Sequence, residues 1–272
     1  MARFLGRDLP QDRLFVVAGP CVIESEALAL ETAERLQETC ARLGIALVYK
    51  SSYRKANRSD VESYTGPGPE EGLRILSRVR EASGLPILTD VHETGEVARA
   101  AAVADVLQIP AFLCRQTALL QEAAARARAV NVKKGQFLAP EDMERALEKL
   151  RAVRSDGEFW TTERGTSFGY RDLVVDMRGI ETMRRFSGTV VFDVTHSLQH
   201  PGAGGERRFA RPLARAALAA GADGLFLETH PDPDRARSDP KTQLPLAEVP
   251  DLLEEMRDWK RLAAEQVTRG RM

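Results

Sequence analysis

Eight short, β-rich apolar runs recur along the chain, and segments with helical spacing fill most of the gaps between them. The runs read RLFVVAGPC (13–21), IALVYKSS (45–52), LPILTDVHE (85–93) and DVLQIPAF (105–112), then RAVNVKKGQ (128–136), EFWTTERG (158–165), TVVFDVTH (189–196) and DGLFLETH (223–230). Most are continuously apolar rather than alternating. Parallel strands read this way when helices cover one face and side chains fill the other. Amphipathic stretches at Glu26–Leu43, Glu70–Glu81, Ala118–Ala127, Glu141–Val153 and Phe209–Ala219 are expected helices, with Gly44 and Gly221 placed for C-caps. An open doubly wound sheet is the competing architecture, but no Gly-x-Gly-x-x-Gly follows the first run. Eight strand–helix units in 272 residues are the number that closes a barrel. The expectation is one α/β domain over residues 1–272, a (β/α)8 TIM barrel. Residues 1–12 form a leading arm, 13–272 the barrel, and the last helix starts near Ala247.

The polar residues cluster just after the apolar part of each run. Cys21 and Glu24, Lys50 and Ser52, Asp90 and His92, Gln108 and Arg115 follow the first four. Lys133 and Lys134, Glu163 and Arg164, Asp193 and His196, Glu228 and His230 follow the rest. In a barrel such positions share the C-terminal mouth, where enzymes of this architecture keep their active sites. Charges also gather wherever strands leave a core, but eight consecutive strands doing so favours a functional site.

The formal net charge is −1, so the chain is no polycation seeking nucleic acid. Lys50, Lys55, Arg58, Arg115, Lys133 and Arg164 would nevertheless converge at the mouth. Burying that much like charge calls for multivalent anions, and two phosphates with one carboxylate would balance it. Arg54, Arg126 and Arg128 read as solvated rim. Strands 7, 8 and 1 are neighbours in a closed barrel, and their ends carry His196, Glu228 and Cys21, with Asp239 on the loop after strand 8. One thiolate, one imidazole and two carboxylates suit a divalent ion of the Zn, Fe or Mn class. The bland alternative for a lone cysteine is a small buried hydrophobe, which is the reading for Cys40. His92 and His230 are either supporting partners or satisfied polar residues, and His200 sits in a Gly/Pro-rich loop. Three scattered cysteines give no disulfide framework, "MARFLGRDLP" has no apolar core of a signal peptide, and no apolar run is long enough to span a bilayer. A cytoplasmic location is the expectation.

The motifs together resemble the 3-deoxy-D-manno-octulosonate 8-phosphate synthase family along nearly the whole chain. They are AGPCVIES (18–25), KSSYRKANRS (50–59), TDVHE (89–93), QIPAFLCRQT (108–117) and VNVKKGQFLAP (130–140), then TERGTSFGYRDLVVDMR (162–178), FDVTHSLQ (192–199) and ETHPDPDRARSD (228–239). The resemblance implies a barrel enzyme, usually a homotetramer, that condenses phosphoenolpyruvate with D-arabinose 5-phosphate and water for lipopolysaccharide synthesis. It implies that Lys50, Ser52, Lys55, Gln108, Lys133 and Arg164 hold phosphoenolpyruvate. It also implies that Asn57, Arg58 and Ser59 meet the pentose phosphate, and that Arg115 reaches a neighbouring subunit. Cys21 with His196, Glu228 and Asp239 is similar to the metal-dependent branch, and Lys55 is the candidate proton donor to the aldehyde oxygen. One alternative is the 3-deoxy-D-arabino-heptulosonate 7-phosphate synthases, whose sugar-phosphate motif resembles Lys-Pro-Arg-Thr-Ser where this chain has Lys55-Ala56-Asn57-Arg58-Ser59. A non-catalytic sugar-phosphate-binding barrel is the other, and a degenerate barrel of that kind should have lost some of these residues.

Overall fold

In the computed structural model the described residues are 2–58, 60–167, 172–200 and 204–270. Eight parallel strands form the centre: β1 (Phe15–Gly19), β2 (Ala46–Lys50), β3 (Ile87–Asp90), β4 (Val106–Ile109), β5 (Ala129–Lys133), β6 (Glu158–Glu163), β7 (Thr189–Asp193) and β8 (Gly224–His230). Each pairs with the next in chain order, and β8 pairs back to β1 in parallel, with Phe226 opposite Val17. That last ladder closes the barrel. Outside it lie α1 (Glu26–Leu43), α2 (Pro69–Ser83), α3 (Thr94–Val103), α4 (Thr117–Arg126), α5 (Met143–Arg151), α6 (Arg178–Arg184), α7 (Ala210–Ala219) and α8 (Val249–Arg269). Ser25 caps α1 by accepting from the Leu28 amide at 3.2 Å, and Gly44 ends it at φ +66°, as its placement predicted. The strands are shorter than the apolar runs. The run at 85–93, for example, contributes only Ile87–Asp90, with 85–86 in the connection that enters the strand and 91–93 in the loop at the mouth.

Period-two alternation divides every strand between two cores. Outward residues such as Val16, Leu47, Leu107, Val130, Phe192 and Leu225 pack with the helices. Inward residues Phe15, Val17, Val48, Leu88, Val106, Ala129, Trp160, Val191 and Phe226 fill the lower barrel. Phe15 fits there because Gly224 faces it. A Cβ at residue 224 would lie 2.4 Å from the Phe15 ring.

The leading arm is a structured floor. Ala2–Phe4 and Arg7–Leu9 form an antiparallel hairpin under the barrel. The Phe4 ring sits 5.0 Å from Phe15 and stacks on Trp160 at 6.1 Å. At its turn the amides of Leu5 and Gly6 both donate to the buried Glu158 carboxylate at 2.7 Å, and Trp160 Nε1 donates to the same group. The barrel is therefore sealed at its N-terminal end. Among the described residues no helix is long and apolar enough to cross a membrane.

Gly224→Ala is expected to lower folding stability by about 1–3 kcal/mol, because the buried Phe15 ring must move. Urea unfolding of the two proteins measures it; equal midpoints would mean that β1 and β8 can part without cost.

Candidate active site

The site is the upper continuation of the inward-facing rows. Two residues beyond Val48, Leu88, Val106, Ala129, Trp160, Val191 and Phe226 stand Lys50, Asp90, Gln108, Asn131, Thr162, Asp193 and Glu228, all buried. Lys133 is two residues further along β5. The pleat that aims apolar groups at the axis below aims polar groups at it above. Alternation therefore turns a floor into a mouth within one strand length.

The cations are compensated from within, and this corrects the expectation that their like charge stands unbalanced until anions bind. Lys50 Nζ donates to Glu228 Oε1 at 2.5 Å and to the Cys21 carbonyl at 2.9 Å. Lys133 pairs with Asp193 and lies 3.2 Å from the centroid of the Phe226 ring. Lys55 Nζ stands 3.9 Å from Asp90 and 4.0 Å from Glu228. Arg58 Nη1 is 3.9 Å from Asp239. Arg164 Nη2 donates to Gln199 at 2.8 Å, and Gln199 donates on to Asp239 at 2.9 Å. A buried ion in this setting is tolerable only because a partner is at hand.

Protonation follows those pairings. Burial alone would raise the Asp193 pKa, but His196 and Lys133 beside it hold the carboxyl well below the usual range. Burial pulls Lys133 down to about 8 against the attraction of Asp193. Asp90 is likewise held low, against burial, by Lys55, Lys50, His92 and the Ser52 hydroxyl. Lys55 is raised despite burial by the surrounding carboxylates of Glu228, Asp90 and Asp239.

Ligand atoms of Cys21, Glu228 and Asp239 all lie within 4.8 Å of one another, so strands β1 and β8 and the loop after β8 do converge. Cys21 Sγ donates to Asp239 Oδ2 at 3.0 Å and lies 2.9 Å from Ser238 Oγ. Asp239 adopts φ +48°, a left-handed conformation that aspartate tolerates. The amides of Thr242 and Gln243 fix the turn by donating to its carbonyl, each at 3.1 Å. His196 stands beside this trio rather than in it. Its Nε2 is 3.7 Å from Glu228 Oε2, and its Nδ1 is 2.9 Å from Asp193. Glu228 Oε2 is buried without a hydrogen-bond partner, and burial together with Glu228 pushes the Cys21 thiol well up. An orphaned carboxylate oxygen beside a sulfur and a second carboxylate is a donor set that fits a divalent cation.

The remaining expected site residues lie further out. Ser52 donates its hydroxyl to Asp90, so its donor is already engaged. Arg58 Nε donates to the Tyr64 carbonyl at 3.0 Å, while its Nη2 is buried and unpaired. Asn57 and Arg115 are exposed, and Ser59 lies outside the described residues. His92 and His230 are buried or nearly so; Nδ1 of the first stands 3.7 Å from Glu96 and Nε2 of the second 3.6 Å from Glu24, neither making a hydrogen bond. The loop after β7 closes a small hairpin between Gln199–His200 and Gly204–Gly205, and residues 201–203 are outside the described residues. Asn131, Thr162, Gln199, Ser238 and Gln243 were missed by motif reasoning. Of these, Asn131 and Thr162 stand at inward positions that strict alternation identifies.

A profile of the DAHP synthetase I family matches residues 5–265. A protein of Alkalilimnicola ehrlichii named 2-dehydro-3-deoxyphosphooctonate aldolase is 52% identical over 272 aligned residues, covering 98% of this chain and 95% of its own length. Proteins of the same name from Acidithiobacillus ferrooxidans and Syntrophobacter fumaroxidans are 55% and 53% identical, covering 89% and 95% of this chain and 88% and 91% of their own lengths.

Asp193→Asn tests the internal charge compensation. Asp193 is ionised in the fold below the pH at which it would protonate in the unfolded chain. Its contribution is therefore present above about pH 4 and lost as pH falls below that value. The variant should lose about 3–5 kcal/mol at pH 7, where Lys133 is left unpaired, and show a shallower decline on acidification. Urea melts at pH 7 and pH 3 measure both; identical acid limbs would refute the assignment.

Proposed function

The chain belongs to the DAHP synthetase I family, with relatives named 2-dehydro-3-deoxyphosphooctonate aldolase over most of its length, and on that premise we propose that it condenses phosphoenolpyruvate with D-arabinose 5-phosphate and water to give 3-deoxy-D-manno-octulosonate 8-phosphate and inorganic phosphate. The observation that carries the reading is the ring of Lys50, Lys55, Arg58, Lys133 and Arg164 around the Cys21–Glu228–Asp239 group at one barrel mouth. Substrates bearing two phosphates and a carboxylate meet that ring by exchanging partners with its internal carboxylates. The names of the relatives and the Lys55-Ala56-Asn57-Arg58-Ser59 stretch favour the pentose phosphate over the shorter aldose of the heptulosonate enzymes.

In this reading Lys50, Ser52, Lys55, Gln108, Lys133 and Arg164 hold phosphoenolpyruvate in the barrel. Asn57, Arg58 and Ser59 meet the sugar phosphate at the rim. The enol carbon of phosphoenolpyruvate attacks the sugar aldehyde, and Lys55 Nζ delivers a proton to the oxygen that becomes the new hydroxyl. Water adds to the neighbouring carbon, and the tetrahedral adduct expels phosphate as its C–O bond breaks. Positive charge developing at that carbon is stabilised by the bound carboxylate and phosphate, so most of the work is positioning and fixed electrostatics. Cys21, His196, Glu228 and Asp239 would hold a divalent ion of the Zn, Fe or Mn class, which supplies Lewis-acid polarisation when bound. Exposed Arg115, like exposed Phe112 (57%) and Phe137 (54%), follows β4 or β5, which supports contact with a neighbouring subunit in a tetramer.

Phosphate release from phosphoenolpyruvate is expected with arabinose 5-phosphate and not with erythrose 4-phosphate, from a species whose scattering mass is that of four chains. The opposite aldose preference would assign the heptulosonate reaction, and release with neither would leave a binding protein.

Metal binding is read separately from turnover. Cobalt(II) titrated into the purified chain should give sulfur-to-metal absorption. Cys21→Ser should abolish that band and weaken affinity roughly tenfold or more. A band that survives the substitution would remove Cys21 from the site.

A further inference from the structure

A chain of buried side-chain hydrogen bonds crosses five adjacent strand ends without a break. Thr162 Oγ1 on β6 donates to Asn131 Oδ1 on β5 at 2.6 Å, and Asn131 Nδ2 donates to Gln108 Oε1 on β4 at 2.9 Å. Gln108 Nε2 then donates to Asp90 Oδ1 on β3, whose other oxygen accepts from Ser52 just beyond β2. None of the five residues is more than 5% exposed. The register that sets Asp90 opposite Gln108, and Gln108 opposite Asn131, makes the sequence of bonds a property of the sheet.

The direction of the chain is forced from its Asp90 end. Asp90, with Lys55 3.9 Å away, is an acceptor only, so Gln108 must turn its amide nitrogen to it. The Gln108 oxygen then points at Asn131 and requires a donor there. That leaves the Asn131 oxygen for the Thr162 hydroxyl. Rotating either amide by half a turn would oppose two acceptors in a buried place.

We infer that Asn131 and Thr162 are positioning residues that act through Gln108, locking its amide so that the mouth meets N–H and never C=O. With its oxygen and one N–H engaged, Gln108 has a single N–H left, and a donor without a competing acceptor is what a phosphate or carboxylate group requires. The inference rests on the reading that Gln108 contacts phosphoenolpyruvate, and it assigns to Asn131 and Thr162 the orientation of that contact. Asn131 and Thr162 touch no reacting atom.

Calorimetric binding of phosphoenolpyruvate to the full chain, with KM for each substrate, tests it. Asn131→Leu should raise the phosphoenolpyruvate Kd and KM roughly five- to twentyfold and leave the KM for arabinose 5-phosphate unchanged. Adding Asn131→Leu to Gln108→Leu should cost nothing beyond Gln108→Leu alone, because the residue acts through that amide. Thr162→Val should weaken binding in the same direction, and Thr162→Ser, which keeps the hydroxyl, should recover most of the loss. If Asn131→Leu does not fold, the two Thr162 variants carry the test. Equal phosphoenolpyruvate affinity in wild type and variants, additive losses in the double variant, or parallel loss for both substrates would each overturn the inference. Failure of the wild type itself to bind phosphoenolpyruvate would instead overturn the functional reading and take the inference with it.

Discussion

Closing eight parallel strands into a ring points every second side chain at the axis, where it must be packed or paired because water is largely excluded. The lower half meets the demand with Phe15, Val17, Trp160 and Phe226 and with the N-terminal hairpin beneath them. The upper half meets it with ion pairs and hydrogen bonds, among them Lys50–Glu228, Lys133–Asp193 and the series from Thr162 to Ser52. Both halves are one geometric constraint met by two chemistries. The change from apolar to polar along the strands is what gives one end of the barrel its charged mouth.

Internal pairing changes what binding must accomplish. The cations are held by Glu228, Asp193, Asp90 and Asp239, so on the proposed reading an incoming anion replaces a carboxylate neighbour rather than neutralising a bare charge. Those carboxylates remain ionised because burial, which would protonate them, is outweighed by the lysines and His196 around them. Burial and the neighbouring Glu228 leave Cys21 as a thiol.

Much of this was legible in the chain before any coordinates. Continuous apolar runs marked all eight barrel strands, and residues just after each run marked the mouth, because strand order in a closed ring follows chain order. Cys21, Glu228 and Asp239, more than two hundred residues apart at the extremes, meet for that reason. Three things were hidden. The hairpin at Ala2–Leu9 has strands of only three residues, too short to show periodicity. Asn131 and Thr162 sit inside otherwise strand-like runs, where a single polar residue carries no motif. The charge balance was misread because sequence shows that lysines and carboxylates reach the same mouth but not which of them touch.

The hairpin also gives the barrel a closed bottom. With Phe4, Leu5 and Leu9 stacked under Trp160 and Phe15, the barrel is a blind-ended vessel with one doorway. The lower layer is also the floor of the mouth, since the centroid of the Phe226 ring lies 3.2 Å from Lys133 Nζ and 5.4 Å from Lys50 Nζ. Stability and chemistry thus occupy neighbouring storeys of one ring, joined where the Phe226 ring carries Lys133 on its face.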